Sequence, residues 1–182
     1  MAVILYHYYE KALGPFRNLS DLPAAEAEEV LAAIRQKKKT MAAHRPDGYL
    51  QRRRELEQLA RALFIAKGGK PVRTAPHYMV IGECEWLKSW YAEGEAVHMP
   101  ISGFDTDTLS FSYGDLFPTF SPKVQDGREY RGKVYTSSEI VTLIQKYGLP
   151  QVWNKDGVNG PERYIEVQVW DEGPLDMLIN YI

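Results

Sequence analysis

Residues 163–170 alternate without a break, with Ile165, Val167 and Val169 on one side and Tyr164, Glu166, Gln168 and Trp170 on the other. That is the period of a strand with one apolar face. It places Glu166 between aromatic side chains on rigid backbone, where a catalytic or ligand-orienting carboxylate is well held. Residues 3–9 are strand formers throughout. Val3, Leu5, His7 and Tyr9 fall on one side and Ile4, Tyr6 and Tyr8 on the other. Residues 77–82, 96–101 and 108–113 predict further strands. In the last of these Leu109, Phe111 and Tyr113 share a face, and the hydroxyls of Thr108, Ser110 and Ser112 turn toward a cleft or water. Residues 134–136 are a further short strand candidate.

Helical spacing takes over elsewhere. Residues 24–36 carry Val30, Leu31 and Ile34 as an apolar stripe, and residues 50–66 carry Leu56, Leu59, Ala60, Leu63 and Phe64. A short helix over 85–92 packs Trp86, Leu87, Trp90 and Tyr91. Thr136 and Glu139 have the spacing of a capping box ahead of Ile140, Val141, Leu143, Ile144 and Tyr147, and Gly148 with Pro150 stops that helix. Residues 174–181 close the chain as a helix with Leu175, Leu178 and Ile179 inward. Between Gly114 and Arg131, Pro118 and Pro122 break every period, which predicts a loop or lid. The elements add up to an α+β fold of mixed or mainly antiparallel sheets with peripheral helices.

Length changes little in this picture. At 182 residues the chain is most economically one globular domain, 1–182, with a basic helical region over 24–67. No apolar run is long enough to span a bilayer, and the apolar start reads as strand rather than signal. With Cys84 as its one cysteine the chain has no internal disulfide framework, so a cytoplasmic location is the default. Charge adds more. The net value of −2 conceals twelve Lys or Arg against three acids from Arg35 to Arg73. That zone suits phosphate, nucleic acid or an acidic surface, and equally the wet side of two helices.

Candidate chemistry begins with carboxylates. A pair in which one acid stays protonated and the other ionised supports glycosidase or hydrolase chemistry. Glu166 is one candidate and Asp115, in the loop after Tyr113, is another; nothing in the sequence fixes their separation. His7, His44, His77 and His98 occur singly, without the close Cys/His pairing of a metal site, so no metal is expected. Cys84 gains thiolate character only if it begins a helix, and a buried thiol is the better reading. No serine sits in a nucleophile elbow. Gly68 and Gly69 follow a helix and read as a turn, not a nucleotide fingerprint.

Taken together, the first strand, with His7 among Tyr6, Tyr8 and Tyr9, and the last, with Glu166 between Tyr164 and Val167, resemble the opening His/Tyr strand and late glutamate strand of ADP-ribosyltransferase-like folds. The order of elements resembles them too. The whole chain also resembles a bacterial protein family to which no reaction attaches. The transferase resemblance implies a split-sheet core, NAD as cofactor in a cleft between two sheets, and ADP-ribosyl transfer to a macromolecular acceptor or NAD glycohydrolysis. It implies that Glu166 holds a ribose hydroxyl and stabilises the opening glycosidic bond, and that His7 contacts a ribose or shapes the nicotinamide pocket. Arg17, Tyr78, Tyr113 and Tyr135 are the remaining candidates for cofactor contacts, the tyrosines as its aromatic wall.

Two readings without catalysis stand beside it. Arg35, Lys37, Lys38, Lys39, Arg52, Arg53 and Arg54 form a phosphate or nucleic-acid surface if both helices turn them the same way, although no aromatics interleave them. Alternatively, the strands and helices bury their aromatics as a protein-interaction module.

Overall fold

The computed structural model describes residues 3–38 and 40–179. In chain order its elements are β1 (Ile4–Glu10), α1 (Ala24–Lys37), α2 (Tyr49–Ala66), β2 (His77–Ile81), α3 (Glu85–Lys88), β3 (Gly94–Pro100), β4 (Leu109–Tyr113), α4 (Leu116–Thr119), α5 (Ser137–Tyr147), α6 (Pro150–Trp153), β5 (Ile165–Val169) and α7 (Gly173–Ile179). The strands form one antiparallel sheet in the order β3-β1-β2-β5-β4. The chain is thus α+β with an antiparallel sheet and peripheral helices. A division into two sheets is absent among the described residues, because β2 hydrogen-bonds to β1 on one side and β5 on the other.

Strand parity decides what each face of the sheet carries. Leu5, Met79, Leu109, Phe111, Tyr113, Ile165, Val167 and Val169 face one layer, closed by Ile140 and Leu143 of α5 and Leu175 of α7. On the opposite face Trp170, fully buried, packs with Leu56, Ala60 and Phe64 of α2. Its Nε1 donates to Ser110 Oγ at 2.8 Å, and Ser110 in turn donates to Gln168 Oε1 at 2.8 Å. The serine hydroxyls of β4 therefore face neither water nor an open cleft. They are consumed in a buried polar ladder, as burial of such groups demands.

Several boundaries differ from the sequence pattern for local reasons. Residues 134–136 contribute only an isolated bridge between Tyr135 and Phe111. The helix over 85–92 ends at Lys88. The stretch after Gly114 contains one helical turn, α4, capped by Asp115, whose side chain accepts from the Phe117 amide. Val30 and Leu59 lie on the exposed sides of α1 and α2. The capping box of α5 is present, with Glu139 Oε2 accepting from the Thr136 amide at 2.8 Å. Lys39, residues 1–2 and residues 180–182 lie outside the described residues, and with them part of the lysine run and the end of the helix predicted over 174–181.

The seam between β1 and β2 positions the site. β1 pairs with β3 over its whole length, from Ile4 opposite Pro100 to Glu10 opposite Gly94, but with β2 only at Leu5 and Tyr6. Beyond Tyr6 the two strands part and the His7 ring enters the gap. One ring nitrogen lies 2.8 Å from the Tyr78 carbonyl and the other accepts from the Phe16 amide at 2.9 Å. Phe16 stacks on that ring at 4.1 Å between centroids and takes a φ of 57°, a left-handed conformation costly for a bulky side chain.

Candidate active site

A cavity of about 250 Å³ lies on the α2 face of the sheet. Its floor is built from side chains two residues apart: Tyr6 and Tyr8 from β1, Tyr78 and Val80 from β2, Tyr164 just before β5 and Glu166 within it. Its walls are Arg53 and Leu56 of α2, Asp115 with Leu116 and Phe117 of α4, and Leu87, Trp90 and Tyr91. His7, Phe16 and Arg17 close the end where β1 and β2 separate.

Two carboxylates meet in this cavity. Glu166 retains 7% exposure, and its Oε1 accepts from Gln168 Nε2 at 2.9 Å. Asp115 accepts from the Phe117 amide at 2.7 Å and from the Tyr164 hydroxyl at 3.0 Å. Neither makes an ion pair with a described residue. Burial, and then the Asp115 charge, push Glu166 well above the ordinary carboxylate range, against the opposing pull of Gln168, Arg53 and the Leu116 amide. Burial also raises Asp115, restrained by the Phe117 amide, Tyr164, Arg45 and Arg53. Two acids so placed disfavour both being ionised at once, and the stronger upward push falls on Glu166.

Beside them a saturated network fixes the wall. Arg53 Nε donates to Glu57 Oε1 at 2.9 Å and to Ser20 Oγ at 3.0 Å, and Nη2 donates to Asn18 Oδ1 at 2.8 Å. Tyr78 Oη donates to the same Glu57 oxygen at 2.8 Å, and Ser20 Oγ does so at 2.8 Å. Glu57, 2% exposed, is therefore fully neutralised, unlike Asp115 and Glu166. The guanidinium lies 4.9 Å from the centre of the Tyr78 ring. Burial and the Asp115 charge keep Tyr164 protonated and hence a donor.

The candidate residues from the sequence divide cleanly. Glu166, Asp115, Tyr78, His7 and Arg17 all line the cavity. His7 has both ring nitrogens engaged by backbone, and burial lowers it to about 4, so it lines the wall as a neutral ring. Tyr113 and Tyr135 do not reach the cavity. They lie in the opposite layer, where Tyr113 donates to the Gly148 carbonyl at 2.8 Å and Lys67 sits 5.1 Å from the Tyr135 ring centre. Cys84 is buried, and burial raises its thiol rather than favouring thiolate. Among the described residues no group of three or more His, Cys, Asp or Glu is arranged to hold a metal ion, and no helix is long and apolar enough to cross a membrane.

The basic run is largely occupied by the fold. Arg35 donates to the carbonyls of Arg45 and Pro46, Arg52 pairs with Glu55 and reaches the Phe120 carbonyl, and Arg54 donates to the Leu22 carbonyl. Sequence reasoning missed the Arg53–Glu57–Tyr78 network. Its one local signal is the four-residue spacing of Arg53 and Glu57 on α2. Comparison of the chain with family models, with curated proteins and with solved structures found no match.

Proposed function

We propose that this cavity is the active site of an enzyme that breaks a glycosidic bond by acid–base catalysis, with Glu166 as the acid and Asp115 as the base. The observation that carries the reading is the un-neutralised carboxylate pair in a cavity. A buried acid beside a half-buried one, neither with a paired cation, costs folding energy, and groups pushed apart in protonation state are suited to acid–base chemistry. Glu166 gives its proton to the leaving atom as the bond from the sugar carbon breaks. Asp115 carries negative charge toward the sugar cation and takes a proton from the incoming water. The proton then passes from Asp115 to Glu166, which restores the pair.

NAD is the first substrate to test, supported by the resemblance of β1 and β5 to ADP-ribosyltransferase-like strands. With one continuous sheet, that support rests on His7 and Glu166 and not on a split core. Nicotinamide leaves without needing a proton, so Asp115 would then stabilise the ribosyl cation and protonated Glu166 would donate to a ribose hydroxyl. Nicotinamide release from NAD, together with base release from nucleosides, is measured for wild type, E166Q and D115N. Loss of turnover in either variant, by about a hundredfold or more and with folding retained, supports the pair. Equal turnover by all three proteins would reject it.

A further inference from the structure

Positive charge at the cavity rim makes no ion pair with the two acids. Arg45 lines the cavity, half-buried, and among the described residues its guanidinium meets no carboxylate within ion-pair distance and donates no hydrogen bond. It lies instead 4.3 Å from the centre of the Tyr49 ring, which stacks on Phe117 at 5.1 Å. Its charge reaches Asp115 and Tyr91, so it acts on the cavity. The backbone that carries it is fixed: Arg35 grips the Arg45 and Pro46 carbonyls, and the Met41 amide donates to the Trp90 carbonyl at 2.9 Å.

That last bond brings Trp90 to the same rim. Trp90 also lines the cavity, and its indole Nε1 is buried with no acceptor among the described residues. A buried N–H without an acceptor is costly, and a small turn of the indole toward the cavity would let a ligand oxygen remove that cost. Arg17, the other cavity-lining guanidinium without a described acid partner, uses Nε on the Leu13 carbonyl and leaves its terminal nitrogens free of described partners. Arg45, Trp90 and Arg17 are donors only. They come from three separate segments, and such a set matches an anion with several oxygens better than a neutral group.

Resting on the glycosidic reading above, we propose that Arg45 and Trp90, assisted by Arg17, form a phosphate subsite, and that the substrate is a phosphorylated sugar or nucleotide whose reacting carbon lies over Asp115 and Glu166. The cavity is then bipolar, cationic at the rim and anionic at the floor. A phosphate held at the rim points the sugar inward and keeps its charge away from the carboxylates.

Full-length protein is titrated with ribose 5-phosphate, ribose and inorganic phosphate by calorimetry, using wild type, R45A, R45K, W90F and E166Q. Circular dichroism melts verify that each variant is folded. Wild type should bind ribose 5-phosphate at least about tenfold more tightly than ribose. R45A should abolish that preference without weakening ribose, R45K should restore part of it, and W90F should weaken the phosphate-bearing ligand alone. E166Q should keep the preference intact, which separates this subsite from the acid pair. If E166Q and D115N turn over normally while R45A loses phosphate selectivity, the subsite stands and the acid–base reading fails. Equal binding of ribose and ribose 5-phosphate by wild type, no binding of either, or an unchanged preference in folded R45A would overturn the proposal.

Discussion

Replacing Glu166 by Gln should stabilise the protein at neutral pH and flatten its stability profile on the alkaline side. In the folded chain the carboxyl is buried beside Asp115 and its proton is held far above the ordinary range. In the unfolded chain it ionises near about 4.3. Between those values the folded state holds a proton that the unfolded state lacks. Stability is therefore full below the unfolded value and falls as pH rises toward the folded one. Each pH unit inside that window costs about 1.4 kcal/mol. Glutamine keeps the shape of the protonated acid, and its oxygen can still accept from Gln168 Nε2, as Glu166 Oε1 does at 2.9 Å. For a chain of this size each kcal/mol of the gap corresponds to a Tm gain of about 2–4 °C. Calorimetric melts of both proteins at pH 5, 6, 7 and 8 measure the gap. It should be small at pH 5 and widen upward, and titrations remote from Glu166 cancel in the difference. Parallel curves would refute the claim that Glu166 is protonated in the fold.

The remaining predictions concern His7 and the cap of α5. His7 has the opposite sign from Glu166: burial lowers it to about 4, so the unfolded chain takes up a proton first and stability falls as pH drops from about 6.5 toward about 4. E166Q should keep this acid limb, and nitrogen NMR should find His7 neutral at pH 5 with its proton on the Nδ1 that faces the Tyr78 carbonyl. A doubly protonated ring at pH 5 would contradict it. T136A removes the side chain that closes the capping box of α5 and should cost about 1 kcal/mol in urea unfolding, with no change in cavity ligand binding, because α5 packs on the other face of the sheet.

Parity along single strands was legible in the sequence, and relations between strands were not. Alternation alone separated Glu166 from Ile165 and Val167, and Tyr113 from Ser112. What made Tyr113 unavailable to the cavity is the β4–β5 register, which sets Ser112 opposite Glu166 and Tyr113 opposite Ile165. That register depends on pairing across more than fifty residues of chain, for which no local propensity speaks. Asp115 was recognisable as an acid after a strand, yet its approach to Glu166 depends on Gly114, whose φ of 103° turns the chain over the end of β4, and on the helical turn that Asp115 then caps. The contacts of the basic run were illegible for a related reason. Charge is written in the sequence, but the carbonyls that absorb Arg35 and Arg54 come from backbone at Arg45, Pro46 and Leu22. Arg45 differs because stacking on Tyr49 holds its charge without neutralising it. Among the arginines that line the cavity, it is therefore the absence of an acid partner, and not abundance of positive charge, that distinguishes Arg45 and Arg17 from Arg53. Among the charged side chains that line the cavity, those the fold leaves without a described ion-pair partner are Arg45 and Arg17 at its rim and Asp115 and Glu166 deeper within it.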